Sequence, residues 1–478
     1  MTDSSKTIKG ISISGLASIS AKGISALSYL WIVSLVEPAQ MGAITLGLAF
    51  YGIFGVFKDF GLTTAVISNP QISDEFMSSA NSLRVLVSGS LLGVCVILSG
   101  VLPSVFDIPE LREMMLLVGA AVFIEALGFL SYALLSRNLE FRKMAGVDIS
   151  ASVVMAGTVI VGGVLGFPMM ALFVGLVLSS AARTGILLLF YPPKIKFVTA
   201  AFADRKLISF GAKLVSLGVV AYLWLNMNVF VLGRLDIDAL GLYGLAFLWA
   251  GAPADISALT INRVMLPTYS ALIRDGKSVF ASYLQTLRFL FVGAFGGFVF
   301  LVFASPILIR TLYGLTWEPA IPILLVLLAF GLGRTLLEPA GSLILSLQRP
   351  GLILWTNLLN LALISVFVVP VADSYGAQGC AVLLAVVYLA HICILWFIVF
   401  RIFGRDPKQI FNTIARPLIA TLIALAIGGG ILYFASGTFW AVITVIAVSS
   451  AYIGVMYVVA RDDIVQTIRH VKHAVGMG

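Results

Sequence analysis

Residues 41–68 read MGAITLGLAFYGIFGVFKDFGLTTAVIS, an apolar run in which Lys58 and Asp59 are the only charged residues. One helical crossing of a bilayer core needs about 20 apolar residues, and this stretch exceeds that length. A barrel strand would be about 10 residues long and would alternate between apolar and polar side chains, which this stretch does not. The stretch therefore predicts a membrane-spanning helix that carries two charges.

Similar runs recur along the whole chain. Hydrophobic residues make up 60% of the 478 residues and charged residues only 11%, whereas a soluble domain has about 25% charged residues. We therefore expect an all-α membrane protein with about fourteen transmembrane helices. The predicted spans lie near residues 10–35, 41–68, 80–102, 112–135, 147–166, 168–191, 208–232, 240–265, 283–311, 320–347, 351–370, 378–400, 412–434 and 438–460.

The basic residues of the connecting segments support this count. If the N-terminus lies in the cytoplasm, almost all loop Lys and Arg residues fall on the inner side, and the outer segments carry only Arg234, with Arg112 and Arg310 at their edges. That asymmetry is the positive-inside pattern of an even number of spans, with both termini cytoplasmic. The net charge of +8 therefore indicates membrane topology rather than nucleic-acid binding.

The loops leave no room for a catalytic domain. The outer loops are short, no Gly-rich loop ends in Lys-Ser or Lys-Thr for ATP, and no set of His, Cys and carboxylate residues has the spacing of metal ligands. We therefore expect neither an enzyme nor a cofactor or metal. Beyond the last span, residues 461–478 have apolar positions at helical spacing, which predicts either a short interfacial helix or a frayed tail.

A weak internal repeat divides the chain. Met41–Phe50 (MGAITLGLAF) resembles Leu240–Phe247 (LGLYGLAF), and the offset of about 200 residues corresponds to six helices. Because six is even, the two copies have the same orientation in the membrane. The repeat predicts two parallel six-helix lobes, residues 1–206 and 207–402. Residues 403–478 would add two further helices and the cytoplasmic tail.

Seven charged residues lie well inside predicted spans. Each costs about 2.5–3.5 kcal/mol at the bilayer centre on insertion scales, so these side chains must face the protein interior or a wet cavity. They are Lys22, Lys58, Asp59, Glu125, Asp255, Arg334 and Glu338. Arg334 and Glu338 are four residues apart, so a structural pair between them is an alternative, and Asp59 could instead serve a contact between lobes.

Other charges lie nearer the inner ends of their spans, where a long side chain reaches the interface. For these we expect snorkelling: Arg84, Asp148, Lys213, Arg263 and Arg288. Lys22 is different because Ser14, Ser18, Ser25 and Tyr29 share its helical face and no acid does. We expect Lys22 to line the cavity. Over all these positions basic residues outnumber acids, which suits an anion such as a diphosphate.

Four segments resemble a known family. They are Tyr51–Ile67 (YGIFGVFKDFGLTTAVI), Leu135–Met144 (LSRNLEFRKM), Asn262–Leu272 (NRVMLPTYSAL) and Trp317–Leu327 (WEPAIPILLVL). In this order and spacing they resemble the polysaccharide transporter family, the Wzx-type flippases of the multidrug/oligosaccharidyl-lipid/polysaccharide exporter superfamily. The colanic-acid and succinoglycan exporters are the most similar group.

The resemblance implies a protein of the bacterial inner membrane that flips undecaprenyl-diphosphate-linked oligosaccharides from the cytoplasmic to the periplasmic leaflet by alternating access. It implies two lobes around a central cationic cavity and an ion gradient as driving force. It also implies a single chain as the working unit, and polysaccharide polymerase or export machinery as partners. Related lipid II flippases place cations at positions whose nearest counterparts here are Lys22, Lys58 and Arg263. With Arg334 these form the expected substrate-binding set; Asp59, Glu125, Asp255 and Glu338 are the expected ion-coupling or gating residues.

Two alternatives remain open. A drug or cation antiporter of the same superfamily would need a cavity dominated by acids, and the surplus of basic residues argues against it. An integral-membrane glycan polymerase or glycosyltransferase would need a large outer loop with catalytic groups, which the short outer loops do not offer.

Overall fold

The computed structural model of the chain describes residues 23–24, 27–68, 73–138, 140–193, 205–406, 408–434 and 437–459. Within these ranges every regular element is helical and no strand occurs. The predicted all-α class is thus confirmed. Lys22, most of the first predicted span and the predicted interfacial tail lie outside the described residues.

Residues 27–33 are helical, and fourteen further helices follow within the described ranges. They are α1 (Pro38–Asp59), α2 (Leu62–Ser68), α3 (Asp74–Phe106), α4 (Leu111–Leu127), α5 (Phe129–Arg137), α6 (Phe141–Val164), α7 (Pro168–Phe190), α8 (Arg205–Leu235), α9 (Ile237–Arg274), α10 (Val279–Tyr313), α11 (Ala320–Ser346), α12 (Pro350–Phe403), α13 (Lys408–Phe434) and α14 (Thr438–Val459), with a short 3-10 turn at Leu315–Trp317.

Eleven of the described helices are long and apolar enough to cross a membrane, and twelve crossings result if the bent pair α4 and α5 counts as one. The helix α12 has 54 residues, but Gly376 inside it has the non-helical angles φ 55° and ψ −146°. A straight helix of that length would measure roughly 80 Å, far more than a core about 30 Å thick. Its two arms correspond to the predicted spans 351–370 and 378–400. The full count of fourteen stays a prediction.

Two predicted spans are broken. The span predicted over 41–68 breaks at Phe60 and Gly61, which both have positive φ (43° and 65°), so that α1 ends and α2 begins there. The span predicted over 112–135 bends by 50° between α4 and α5, at Gly128. Each break leaves backbone carbonyls without partners in their own helix, and these must be satisfied by other groups.

The chain divides into two compact units, Met1–Gly241 and Leu242–Gly478. In the first, α3 packs on α4, α6 on α7, and α8 on α1; in the second, α11 packs on α12 and α13 on α14. In this division α8 lies in the first unit, whereas the repeat placed residues 207–235 in the second lobe. The predicted lobe limits, 1–206 and 207–402, stay predictions. Both units expose large apolar side chains, such as Val164 and Phe434, as expected where lipid is the solvent.

Two glycines allow a close backbone contact inside the first unit. A Cβ atom on Gly42 would overlap the carbonyl oxygen of Ile237, and a Cβ atom on Gly241 would overlap the carbonyl of Pro38. These glycines occupy matching positions in the two copies of the repeat. The contact is therefore reciprocal: the first turn of α1 and the first turn of α9 each present a glycine to the backbone of the other.

We expect Gly42→Ala and Gly241→Ala each to destabilise the protein by about 1–3 kcal/mol, because backbone atoms cannot move aside as a flexible side chain does. The measurement is the apparent melting temperature of the purified protein in detergent. Gly55→Ala is the matched control in α1, since a Cβ atom there meets nothing within 4 Å. It should leave the melting temperature unchanged or raise it. Equal melting temperatures for all three variants would contradict the close contact.

Candidate functional site

The charged end of α1 lies next to Glu125, near the end of α4. Lys58 is the penultimate residue of α1, and its ammonium group forms an ion pair with Oε2 of Glu125. The ammonium also lies 5.2 Å from the ring centroid of Tyr51. Hydroxyl groups of Tyr51 and of Ser180, on α7, each lie 3.4 Å from Oε1 of Glu125. We call these four residues the Lys58–Glu125 site.

An arginine on α3 supplies a hydrogen-bond donor to the carbonyl that the break after Asp59 leaves without a partner in its own helix. Arg84 donates from Nη1 to the carbonyl oxygen of Lys58, and the same nitrogen lies 3.5 Å from Oδ1 of Asp59. Arg84 is only 6% exposed. A cation at the end of a helix satisfies orphan carbonyls and the negative end of the helix dipole together. The Thr63 hydroxyl donates to the same Oδ1 atom of Asp59, at 2.5 Å.

A second network lies beside the first. Arg183, on α7, pairs with Asp148, on α6, at 2.7 Å between Nη2 and Oδ1. Tyr132 donates from its hydroxyl to Oδ2 of Asp148 at 3.0 Å, and the guanidinium of Arg183 lies 4.4 Å from the centroid of the Tyr132 ring. Ser180 and Arg183 are one turn apart on α7, so this helix contributes to both networks.

The cations of these networks are compensated. Lys58 faces Glu125, Arg84 faces Asp59, and Arg183 faces Asp148. Charges removed from water are retained when an opposite charge and hydrogen bonds replace the lost solvation. The sequence suggested a surplus of free positive charge, but the structure shows Lys58 and Arg334 already held by carboxylates. An anionic ligand of Lys58 would therefore have to compete with an acid already in place.

The second unit holds an ion pair of its own. Arg334, on α11, lies 2.6 Å from Asp255, on α9, measured from Nη2 to Oδ1. The Asp255 side chain is 57% exposed and that of Arg334 21%. Glu338 lies one turn beyond Arg334 on α11, and the phenol of Tyr388 is in electrostatic range of all three charges. Arg334 thus pairs with an acid on another helix, Asp255, in addition to having Glu338 one turn away on its own helix.

The ion pairs Lys58–Glu125 and Arg334–Asp255 join helices that correspond in the predicted repeat, but the positions of the basic and the acidic residue are exchanged between them. In the repeat, α1 corresponds to α9, and the α4–α5 span corresponds to α11. The first unit places the cation, Lys58, on the earlier helix and the acid, Glu125, on the later one. The second unit places the acid, Asp255, on the earlier helix and the cation, Arg334, on the later one. By the correspondence that the predicted repeat gives, the two ion pairs join the same two helices, with the signs exchanged.

The predicted site residues thus fall into two groups within separate units. Lys58, Asp59 and Glu125 lie together in the first unit, and Asp255, Arg334 and Glu338 lie together in the second. Lys22 lies outside the described residues, and of the Arg263 side chain nothing is described. That the four basic residues line one cavity stays a prediction. Among the described residues, no group of three or more His, Cys, Asp and Glu side chains could hold a metal ion.

Sequence reasoning missed several members of these networks. Arg84 was expected to snorkel, and this was wrong: it is buried because the break in α1 leaves a carbonyl that needs a donor. Asp148 was also expected to reach the interface, but it pairs with Arg183. Tyr51 is on the same helical face as Lys58, seven residues earlier, and Ser180 is three residues before Arg183. Those spacings were the available signals.

We expect Arg84→Leu to destabilise the protein by about 2–3 kcal/mol, since it leaves the Lys58 carbonyl without its side-chain donor and the Asp59 carboxylate without its basic partner. The loss is measured as a fall in apparent melting temperature and in the amount of monodisperse protein extracted from membranes. Arg112→Leu, a change of the same kind at an exposed arginine on α4, is the control and should stay within about 0.5 kcal/mol of the unchanged protein. An equal effect of both would contradict the role of Arg84.

Comparison with known proteins gives a consistent picture. The sequence profile of a family described as "Polysaccharide biosynthesis protein" matches residues 32–322, which is more than half of the chain. The lipopolysaccharide biosynthesis protein WzxC of Escherichia coli (strain K12) is 25% identical over 433 residues, which cover 88% of this chain and 87% of that protein.

Two solved structures show the fold. The lipid II flippase MurJ, in an inward closed conformation, superimposes with a TM-score of 0.75 at 17% identity, covering 94% of this chain and 99% of that one. An inward-facing multidrug resistance MATE family transporter of the MOP superfamily gives a TM-score of 0.61 at 14% identity, covering 79% of this chain and 93% of that one. The chain therefore has the multi-helix membrane fold that these two transporters share.

Proposed function

The chain belongs to the polysaccharide biosynthesis protein family, and from this premise we propose that it moves a lipid-linked oligosaccharide across the membrane. The lipid carrier is undecaprenyl diphosphate, and the movement runs from the cytoplasmic to the periplasmic leaflet of the bacterial inner membrane. The similar protein WzxC is named for lipopolysaccharide biosynthesis, and MurJ, the structural neighbour, is named as a lipid II flippase. Both names support a lipid-linked glycan as the substrate class.

The observation that carries this proposal is the Lys58–Glu125 site. It places an ammonium group inside a membrane helix, at a helix break, where it already holds an anionic group with two hydroxyl groups beside it. Discontinuous helices form the substrate and ion sites of many transporters. The diphosphate is the charged part of the proposed substrate and requires cations that are protected from water. Lys58, with Lys22, Arg263 and Arg334, would contribute those cations.

The carboxylates provide the proposed coupling. Asp59, Glu125, Asp255 and Glu338 would couple transport to an ion gradient or gate it, because each change of partner in a low-dielectric site alters the protonation or position of the acid. Alternating access would exchange these partners between states. The termini would both be cytoplasmic, one chain would suffice for transport, and the polymerase that extends the glycan would receive the product.

A drug or cation antiporter is the second candidate, and the likeness to a MATE family transporter is the observation that favours it. Such a protein binds its cationic ligand with acids that are free to accept it. In the two networks of the first unit, however, the acids Asp59, Glu125 and Asp148 face basic residues. We therefore favour an anionic substrate.

The test is a deletion of the gene in the organism that encodes it. We expect surface polysaccharide to disappear while a complete lipid-diphosphate repeat unit accumulates, because the unit is assembled but not moved. Mass spectrometry of lipid extracts, together with polysaccharide measured on the same cells, reports both quantities. The intact gene on a plasmid should restore surface polysaccharide and remove the accumulated unit.

Accumulation of incomplete units, or of unpolymerised units on the outer side, would instead indicate a block in assembly or polymerisation. Unchanged polysaccharide and resistance to cationic drugs on overexpression would favour the antiporter.

A further inference from the structure

The carboxylate of Glu125 occupies a position that other helices shape for an anion. Its Oε2 atom receives the ammonium group of Lys58, and its Oε1 atom has the hydroxyl groups of Tyr51 and Ser180 at 3.4 Å. Arg84 and Arg183 add positive potential at the same carboxylate. One ammonium, two hydroxyls and two nearby guanidinium groups therefore converge from α1, α3 and α7 on a single acid carried by α4.

The same donors suit a phosphate group. Carboxylate and phosphate oxygens both accept charge-assisted hydrogen bonds from ammonium and hydroxyl donors. While Glu125 holds Lys58, however, the diphosphate would meet a neutralised cation and a like charge. Binding of the diphosphate at Lys58 and pairing of Lys58 with Glu125 therefore compete with each other.

On the basis of the proposed function, we propose that Glu125 is an internal substitute for the substrate, which keeps Lys58 compensated when the transporter is empty and is displaced by the diphosphate of the lipid carrier. The membrane makes such a substitute necessary, because a charged side chain inside it needs a partner of opposite charge. A vacant ammonium site inside the hydrocarbon region would be costly, so an acid on a neighbouring helix occupies it until the substrate arrives. Glu125 therefore sets the affinity of the site for diphosphates.

The surroundings of the pair allow this exchange. Gly55 lies one turn before Lys58 on the face that also carries Tyr51, and a Cβ atom on Gly55 would meet nothing within 4 Å. There is thus open space on this face of α1, one turn before Lys58. Glu125 lies three residues before Gly128, where α4 gives way to α5 at a 50° bend. When Glu125 leaves Lys58, Arg84 and Arg183 still provide positive charge near its carboxylate, so that the negative charge keeps basic neighbours.

The experiment is isothermal titration calorimetry of the purified full chain in detergent with farnesyl diphosphate, a short isoprenoid diphosphate, as the probe. Glu125→Gln, which removes the competing charge and keeps the shape, should bind the probe about tenfold or more tightly than the unchanged protein. Lys58→Gln should weaken binding, and the double variant Lys58→Gln with Glu125→Gln should bind as weakly as Lys58→Gln alone. Glu113→Gln, the same change at an exposed position on the same helix, is the matched control and should bind like the unchanged protein.

The inference is overturned if Glu125→Gln binds the probe no more tightly than the unchanged protein, or if the tighter binding persists when Lys58 is also replaced.

Should Glu125→Gln not yield folded protein, Glu125→Asp replaces it. That variant keeps a negative charge near Arg84 and Arg183 but draws the carboxylate back from Lys58, so it should also bind the probe more tightly. If the unchanged protein binds the probe through Lys58 and neither Glu125 variant binds more tightly, the inference fails and the proposed function stands. If no variant binds, the inference fails as well, and the deletion strain decides the function separately.

Discussion

The ion pair between Lys58 and Glu125 shows the constraint on which much of this structure depends. A charge within the hydrocarbon layer finds no water, so another helix must bring it a partner. Lys58 receives Glu125 from α4, Arg84 receives Asp59 from α1, and Arg183 receives Asp148 from α6. Helices that would otherwise meet only through apolar contacts are thereby fixed relative to one another within the first unit. The second unit meets the same requirement with Arg334 and Asp255, whose helices correspond to those of Lys58 and Glu125 in the predicted repeat.

The same constraint applies to the backbone. Where α1 ends after Asp59, the carbonyl oxygen of Lys58 would lack a donor, and the guanidinium of Arg84 supplies one. The helix break and the buried arginine are thus two parts of one arrangement, since a break without the arginine would leave an unsatisfied carbonyl in lipid. Because the break also lies beside Lys58, the pair with Glu125 forms at a place where two helices are interrupted. A transporter needs such places, since a continuous hydrogen-bonded helix resists local rearrangement.

Much of the fold could be predicted from the sequence, because lipid imposes long apolar runs that are easily recognised. The all-α class, most of the spans and the need of Lys58, Asp59, Glu125, Asp255 and Arg334 for polar partners follow from apolar length and from the cost of intramembrane charge. The partners could not be predicted, since the pairing of Lys58 with Glu125 joins residues 67 positions apart in the chain. Arg84 was misjudged for a related reason: its length allowed it to reach the interface, and only the break at Phe60 and Gly61 shows why it turns inward.

The most direct test of the account is a double-mutant cycle on the Lys58–Glu125 pair, read as the apparent melting temperature of the substrate-free protein in detergent. If compensation of charge inside the membrane is what holds these helices, Lys58→Gln and Glu125→Gln should each lower the melting temperature, because each leaves the other charge unpaired. Combining them should recover most of that loss, since the pair is then removed as a whole. If the two losses simply add in the double variant, the residues act independently, and the central claim is wrong.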